Sequence, residues 1–328
     1  SGDVNRTWGG LKSQPEISLQ MGIQGLAYMH SDLGGFAGDN LDDELYARWL
    51  QYGVFQPIYR PHAQEEVPSE PVFREAKTKA LAKRAIELRY QLLPYNYTLA
   101  YQNSSTGLPL MRPLFFEQPD SLNLYEVADT YLWGNDILVS PVMESQLKEK
   151  SVVFPGTSNW FDAYSGKKYQ GGTTQNIPVV EEHIPTFVRG GAFIPMAKPV
   201  QTTADFTGET LEVHYYFDED LKESSGFLYH DDGKSPVAIE ENKYEIINFT
   251  SSLEPKILNI KVEKEEDGEV TDKILLIEVV IENLKRTVDV VWVNTLRFTA
   301  KNYMHNGKLV IPVRFDSSNL TTIKLEFN

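Results

Sequence analysis

The chain has 328 residues, of which 41% are hydrophobic, so it is long enough for two or three domains with their own cores. It contains no cysteine, which excludes disulfides, thiolate metal sites and a cysteine nucleophile. Its formal net charge of −15 repels phosphate backbones and argues against nucleic acid as a ligand.

Further features absent from the sequence exclude other classes of protein. No run of about 18 apolar residues occurs, so we expect no membrane-spanning helix. No Gly-x-Gly-x-x-Gly or phosphate loop occurs, and His183, His214, His230 and His305 lack the spacing of metal ligands, so we expect no cofactor and no metal. The absence of cysteine fits a bacterial periplasmic or extracellular protein, which we favour, and it also fits a cytoplasmic one.

The first third of the chain alternates strand-like and helix-like segments. Residues 23–30 are a short apolar run with polar and glycine residues on both sides, which predicts a buried strand. Acidic residues open a predicted helix over residues 42–52, and residues 54–59 predict another strand. A long helix follows from about Val72, and Pro94 is expected to kink or break it.

This alternation predicts βαβ units and a parallel sheet. Asp3, Asp32 and His62 recur at spacings of 29 and 30 residues, and each lies where a strand is able to end. Residues just past the strand ends of a (β/α)8 barrel line one catalytic face. The spacing therefore predicts that these three side chains meet at one mouth.

After Pro113 the segments become short, β-branched and punctuated by glycine and proline, which predicts antiparallel β-sandwich structure. We expect two such domains, a proximal one over residues 114–199 and a distal one over residues 200–328. A charged stretch between Glu263 and Asp272 predicts a solvated hairpin tip. The main predicted strands are residues 137–142, 151–154, 187–195, 211–217, 274–281, 287–293 and 308–313.

A complete barrel needs eight strands and about 250 residues. Residues 1–113 supply only two or three βα units, so they are either the C-terminal part of a (β/α)8 barrel that an upstream segment completes or a smaller α/β layer. We favour the first, and the expected fold class is α/β plus all-β.

Several motifs in order and at matching spacing resemble one enzyme family. They are Ser1-Gly2-Asp3, His30-Ser31-Asp32-Leu33-Gly34-Gly35-Phe36, Gly53-Val54-Phe55-Gln56-Pro57, Arg60-Pro61-His62, Leu93-Pro94-Tyr95, Arg112-Pro113-Leu114 and Arg189-Gly190-Gly191. Through them the chain resembles glycoside hydrolase family 31, the α-glucosidase and α-xylosidase family. The likeness covers residues 1–196 and continues beyond them mainly in Leu228-Tyr229-His230-Asp231-Asp232-Gly233.

The resemblance implies roles for four residues. Asp3 matches the general acid/base, Asp32 a carboxylate of the substrate pocket, Phe36 an aromatic wall of the sugar site, and His62 a group that hydrogen-bonds sugar hydroxyls. The family's nucleophile is an Asp on an earlier barrel strand, and no residue here matches it. The implied partners are an oligosaccharide substrate and an upstream barrel segment that carries the nucleophile.

Read without the family, the same residues have ordinary structural explanations. A Gly-Asp pair is usually a turn, Asp32 is able to cap Gly34-Gly35 as an Asx turn, and Phe36 is able to pack beneath its loop. An isolated His62 is more often structural. Asp231-Asp232-Gly233 predicts a hairpin turn, because the rest of a calcium loop is absent.

The resemblance implies a retaining exo-α-glycosidase, and we favour an α-glucosidase that needs no cofactor. The alternatives are a 4-α-glucosyltransferase, in which a sugar hydroxyl replaces water, and an α-xylosidase. A non-catalytic carbohydrate-binding β-sandwich protein is the alternative from another class, and it leaves the spacing of Asp3, Asp32 and His62 unexplained. Without a nucleophile, residues 1–328 alone are expected to be inactive.

Overall fold

The computed structural model describes residues 2–65, 67–265, 275–316 and 319–328. The chain forms two compact units. The first unit comprises Ser1–Arg89 and Gln102–Arg189, and the second comprises Tyr90–Tyr101 and Gly190–Asn328. These units do not coincide with the three domains expected from the sequence, and that three-domain division stays a prediction. None of the described helices is both long and apolar enough to cross a bilayer.

Among the described residues, five α-helices occupy the first third of the chain: α1 (Trp8–Lys12), α2 (Gln14–Ile23), α3 (Asp43–Gly53), α4 (Ala76–Gln91) and α5 (Leu93–Thr106). The predicted helix over residues 42–52 is confirmed as α3. The Asp42 side chain caps its first turn by accepting a hydrogen bond from the Leu45 amide at 3.0 Å. The predicted break at Pro94 is also confirmed. Proline has no amide hydrogen to bond the preceding turn, so α4 ends at Gln91 and α5 restarts at Leu93.

The two strands predicted in the first third are wrong. Helix α2 runs through Ile23, and a helical turn follows α3 at Val54, so each predicted strand loses its beginning. The remaining residues 26–33 and 58–60 form no ladder among the described residues. A strand needs hydrogen-bonded neighbours, and here a single parallel bridge between Leu33 and Pro61 joins the two segments. Leu26 and Tyr28 are consequently 54% and 49% exposed.

The first unit contains the first eight strands. They are β1 (Met111–Pro113), β2 (Tyr131–Trp133), β3 (Ile137–Val139), β4 (Glu149–Phe154), β5 (Asn159–Asp162), β6 (Lys168–Gln170), β7 (Thr173–Pro178) and β8 (Thr186–Arg189). Six of them form an antiparallel sheet in the order β1-β2-β3-β8-β5-β6, and β4 pairs with β7. Trp160, Phe187 and Phe154 are fully buried in the core between these strands.

The described part of the second unit forms two larger sheets. Their strands are β9 (Phe193–Met196), β10 (Thr210–Tyr216), β11 (Glu223–His230), β12 (Glu245–Glu254), β13 (Ile257–Lys264), β14 (Leu275–Glu282), β15 (Val288–Val293), β16 (Leu296–Thr299), β17 (Met304–His305), β18 (Lys308–Phe315) and β19 (Thr321–Phe327). The sheet orders are β17-β18-β14-β10-β9 and β11-β12-β13-β19-β15-β16. Val213, Ile260 and Ile323 belong to the one hydrophobic cluster that both sheets share.

Most of the strands predicted after Pro113 are confirmed, with three corrections. The predicted strand over residues 187–195 is two strands, since the chain breaks at Gly191, where φ is +84°. Strands β10 and β14 pair in parallel, which the long connection between them allows, so the second unit is not purely antiparallel. Asp231-Asp232-Gly233 begins a connection that lasts until Glu245 and is not a tight hairpin turn. The predicted hairpin tip lies largely outside the described residues.

Candidate active site

The segment that carries Asp3 is bound to the glycine-rich loop that follows Asp32. The amides of Phe36 and Ala37 donate to the carbonyl of Val4 at 2.8 and 3.1 Å, and the Arg6 amide donates to the Ala37 carbonyl at 2.8 Å. An isolated parallel bridge joins Asn5 to Ala37. Two stretches about 30 residues apart are thus held side by side.

The buried side chain of Arg6 fixes this loop. It is 4% exposed, and its guanidinium donates to the carbonyl oxygens of Gly35 at 3.2 Å, Phe36 at 3.2 Å and Gly38 at 2.7 Å. A fork of donors suits several carbonyls at once, so one cation binds three carbonyl oxygens of the loop. Sequence reasoning missed Arg6, because a single arginine carries no signal of contacts made 30 residues away.

Asp3 and Asp32 meet at this junction. Asp3 is exposed, and its backbone lies in the left-handed region with φ of 54°. Its amide donates to Oδ2 of Asp32 at 3.2 Å, and Nη2 of Arg60 lies 3.4 Å from Oδ1 of the same carboxylate. Asp32 is only 3% exposed, whereas the Arg60 side chain is about half exposed. A buried, paired carboxylate therefore holds the backbone of Asp3 while leaving the Asp3 side chain open to solvent.

Phe36 and His62 form the second contact among the predicted site residues. Their ring centroids are 5.3 Å apart, with the planes tilted by 39°. The Leu33 amide donates to the Arg60 carbonyl at 3.1 Å, which places the segment before the glycine loop beside the segment that ends at His62. The four predicted residues are thus held by three neighbouring segments, residues 3–6, 32–38 and 60–62.

The structure replaces the simple Asx-turn explanation of Asp32. The Gly35 amide donates to the backbone carbonyl of Asp32 at 2.9 Å, so the turn is closed by the main chain. The side chain is left to bind the Asp3 amide and Arg60. The arrangement therefore presents an exposed carboxyl group, a buried anion, an exposed imidazole and an aromatic ring on three adjoining segments.

We expect Gly35→Ala to destabilise the site more than Gly38→Ala. Both glycines have positive φ, of 84° and 99°, so an alanine at either position strains the backbone by about 1–3 kcal/mol. A Cβ on Gly35 would also stand 2.6 Å from the Cα of Arg6, whereas Gly38 has open space. The clash adds about 1–3 kcal/mol, which urea unfolding of the two variants measures. Equal losses would show that the close approach to Arg6 is unimportant.

Comparison with known proteins places this chain in a family. The glycosyl hydrolases family 31 TIM-barrel domain matches residues 1–99, and the glycosyl hydrolase family 31 C-terminal domain matches residues 107–194. A probable glucan 1,3-alpha-glucosidase of Oryza sativa is 38% identical over 72% of this chain and 26% of its own length. An alpha-xylosidase of Saccharolobus solfataricus is 33% identical over 99% of this chain and 42% of its own.

The likeness extends to solved structures. A GH31 dextranase of Flavobacterium johnsoniae, complexed with glucose, superposes with a TM-score of 0.89 and 26% identity, covering 98% of this chain and 42% of its own. The chain thus spans less than half the length of each of these three proteins. Two domains of one family match the chain in consecutive order, and one relative aligns with 99% of it. The chain therefore belongs to glycosyl hydrolase family 31.

Proposed function

We propose that the chain carries the acid/base and sugar-binding residues of a retaining exo-α-glycosidase, an α-glucosidase that removes terminal α-linked glucose from oligosaccharides. The observation that carries this proposal is the cluster formed by Asp3, Asp32, Phe36 and His62 in a chain of family 31. The names of the relatives, which include glucan 1,3-alpha-glucosidase and neutral alpha-glucosidase, support glucose as the sugar.

Asp3 is proposed as the general acid/base. As the acid it protonates the glycosidic oxygen while a carboxylate nucleophile attacks the anomeric carbon, so the aglycone leaves and a glycosyl-enzyme forms. As the carboxylate it then takes a proton from water, whose oxygen attacks the anomeric carbon and releases the nucleophile. The exposed side chain of Asp3, on a backbone held by Asp32, suits a group that must reach two successive oxygens.

The nucleophile is proposed to come from another segment of the same barrel. Retaining enzymes place their two carboxyl groups about 5 Å apart, and the buried Asp32 is already engaged by the Asp3 amide and Arg60. The exposed apolar side chains of Leu26 and Tyr28 support a further barrel segment that covers them. In the finer fold we propose, residues 1–113 are part of a (β/α)8 barrel, followed by β-sandwich domains over residues 114–199 and 200–328.

The remaining site residues are proposed to bind sugar. His62 is exposed and able to hydrogen-bond hydroxyl groups, and the Phe36 ring beside it offers an apolar face. Asp32 accepts hydrogen bonds from its buried position and fixes the Asp3 backbone that faces the same ligand.

The stereochemistry of the product tests this function. In protein that includes the nucleophile-bearing segment, proton NMR should detect α-glucose as the first sugar released from p-nitrophenyl α-glucoside, because two displacements restore the original configuration. Initial release of β-glucose would mean a single displacement and would overturn the proposal.

An α-xylosidase is the second candidate, since the relative that matches 99% of the chain bears that name. If the nucleophile-complete enzyme released p-nitrophenol faster from p-nitrophenyl α-xyloside than from p-nitrophenyl α-glucoside, that candidate would be favoured. The expected result is the reverse.

A further inference from the structure

A cavity of about 520 Å³ lies wholly within the second unit, apart from the residues proposed for catalysis. It is bounded by the first turns of α5, by residues 203–208, and by the end of β11 with the connection that follows. Its volume falls within the range of roughly 300–1,000 Å³ that small-molecule sites occupy. Gly208 keeps one wall open, since a Cβ there would stand 3.2 Å from Nε2 of His230.

A buried carboxylate fixes the aromatic wall of this cavity. Asp231 is 8% exposed and accepts the hydroxyl of Tyr97 at 2.8 Å and the hydroxyl of Tyr229 at 2.8 Å. Burial and the bond to Asp231 raise the pKa of Tyr97 above its ordinary value, so its hydroxyl stays protonated and donates. Tyr97 nevertheless remains 41% exposed. The side chain is held in place at its tip while part of its ring stays open to a ligand.

The rest of the lining combines an apolar surface with polar groups at the rim. Phe206 is half-buried against the neighbouring core, and Thr207 is exposed beside it. Asp232 and Lys234 are both exposed and bring opposite charges to the rim. Oδ1 of Asp232 accepts the amides of Lys234 and Ser235, each at 2.9 Å, which fixes the side chain.

We propose that this cavity is a second, non-catalytic binding site for a glucose unit of an oligosaccharide. A pyranose ring has an apolar face that stacks on an aromatic side chain and hydroxyl groups that need donors and acceptors around its edge. Tyr97 and Phe206 supply the apolar contact, while Thr207, Asp232 and Lys234 supply the polar rim. A rim with both charge signs in a chain of net charge −15 suits a neutral ligand better than an anion.

The choice of a glucose unit as the ligand rests on the proposed function. Binding at the cavity is nevertheless measured without measuring hydrolysis. Maltotriose binding is measured by ligand-observed NMR titration of the 328-residue chain carrying Asp3→Asn and His62→Ala, which alter two exposed side chains of the candidate active site and should leave folding unchanged. Binding should persist in this background. Turnover or its absence in the nucleophile-complete enzyme has no bearing on this result, so the two proposals fail independently.

Two further variants locate the site. Tyr97→Ala removes the fixed ring and is expected to weaken binding by about tenfold or more. Ala204→Trp is expected to abolish it, because residue 204 lines the cavity, is exposed and forms no part of the buried core, so the protein should fold unchanged with the cavity filled. Tyr125→Ala, which removes a 51% exposed tyrosine of the first unit, is the matched control and should bind normally.

Three results would overturn the proposal. They are no binding of maltotriose in the double-variant background, binding that is unchanged by Ala204→Trp, and equal weakening by Tyr97→Ala and Tyr125→Ala. Unchanged melting temperatures for Ala204→Trp and the control ensure that a loss of binding reports the cavity and not unfolding.

Discussion

Replacing Asp3 with asparagine is expected to lower kcat/KM for maltose by about 10²- to 10⁴-fold in the nucleophile-complete enzyme, because the leaving sugar then departs without a proton. A glucoside with an activated phenol as leaving group needs little protonation, so its first step should be affected much less. Asparagine is the suitable replacement, since Asp3 has φ of 54° and asparagine tolerates this left-handed conformation better than alanine.

The matched control for this variant is Asp120→Asn, which alters an exposed carboxylate of the same unit outside the candidate site. It should leave both substrates unaffected. Folding of the Asp3 variant should also be unchanged, because its side chain is exposed. Equal losses on maltose and on the activated glucoside would remove Asp3 from the acid/base role, as would an equal effect of the control.

Asp32→Ala is expected to cost about 2–4 kcal/mol of transition-state stabilisation, or about 30- to 1,000-fold in kcat/KM. The change deprives both the Asp3 amide and Arg60 of their acceptor, and it leaves the amide beside a buried gap. Because Asp32 is 3% exposed, we also expect a lower free energy of unfolding. His62→Ala should lower kcat/KM with little change in stability, since His62 is exposed.

Asp32→Asn separates the two contributions of this carboxylate. Asparagine keeps an oxygen that accepts the Asp3 amide but loses the charge opposite Arg60. Stability should therefore recover relative to Asp32→Ala, while kcat/KM for maltose stays below that of the unaltered enzyme. Full activity in protein that survives Asp32→Ala would instead make Asp32 a purely structural residue.

The sequence predicted the neighbourhood of the site better than its secondary structure. The near-equal spacing of Asp3, Asp32 and His62 predicted that their side chains meet at one mouth. The segments that carry them do adjoin, and the shared mouth stays a prediction. The strands over residues 23–30 and 54–59 were predicted from the apolar composition of these segments, and these predictions were wrong. An apolar run does not reveal whether hydrogen-bonding neighbours exist. Among the described residues, the two segments that carry these runs are joined by one bridge, between Leu33 and Pro61.

Contacts that depend on the tertiary fold could not be predicted. Arg6 is recognisable as the support of the glycine loop only once that loop lies beside it. Asp231 was predicted to lie in a turn. It is buried, and it accepts a hydrogen bond from Tyr97, which lies on a helix more than 130 residues earlier. Prolines and acidic caps act within a few residues, and for this reason the break at Pro94 and the start of α3 were predicted correctly.

The central claim, that Asp3 is the acid/base of a double displacement, is tested most directly by azide rescue of Asp3→Ala with an activated α-glucoside. Azide needs no deprotonation, and the smaller alanine side chain leaves it room to attack the glycosyl-enzyme in place of water. Because the intermediate has already been inverted once, its attack should yield α-glucosyl azide, identified by proton NMR, together with a faster turnover. Formation of β-glucosyl azide, or no acceleration by azide, would contradict the assignment of Asp3.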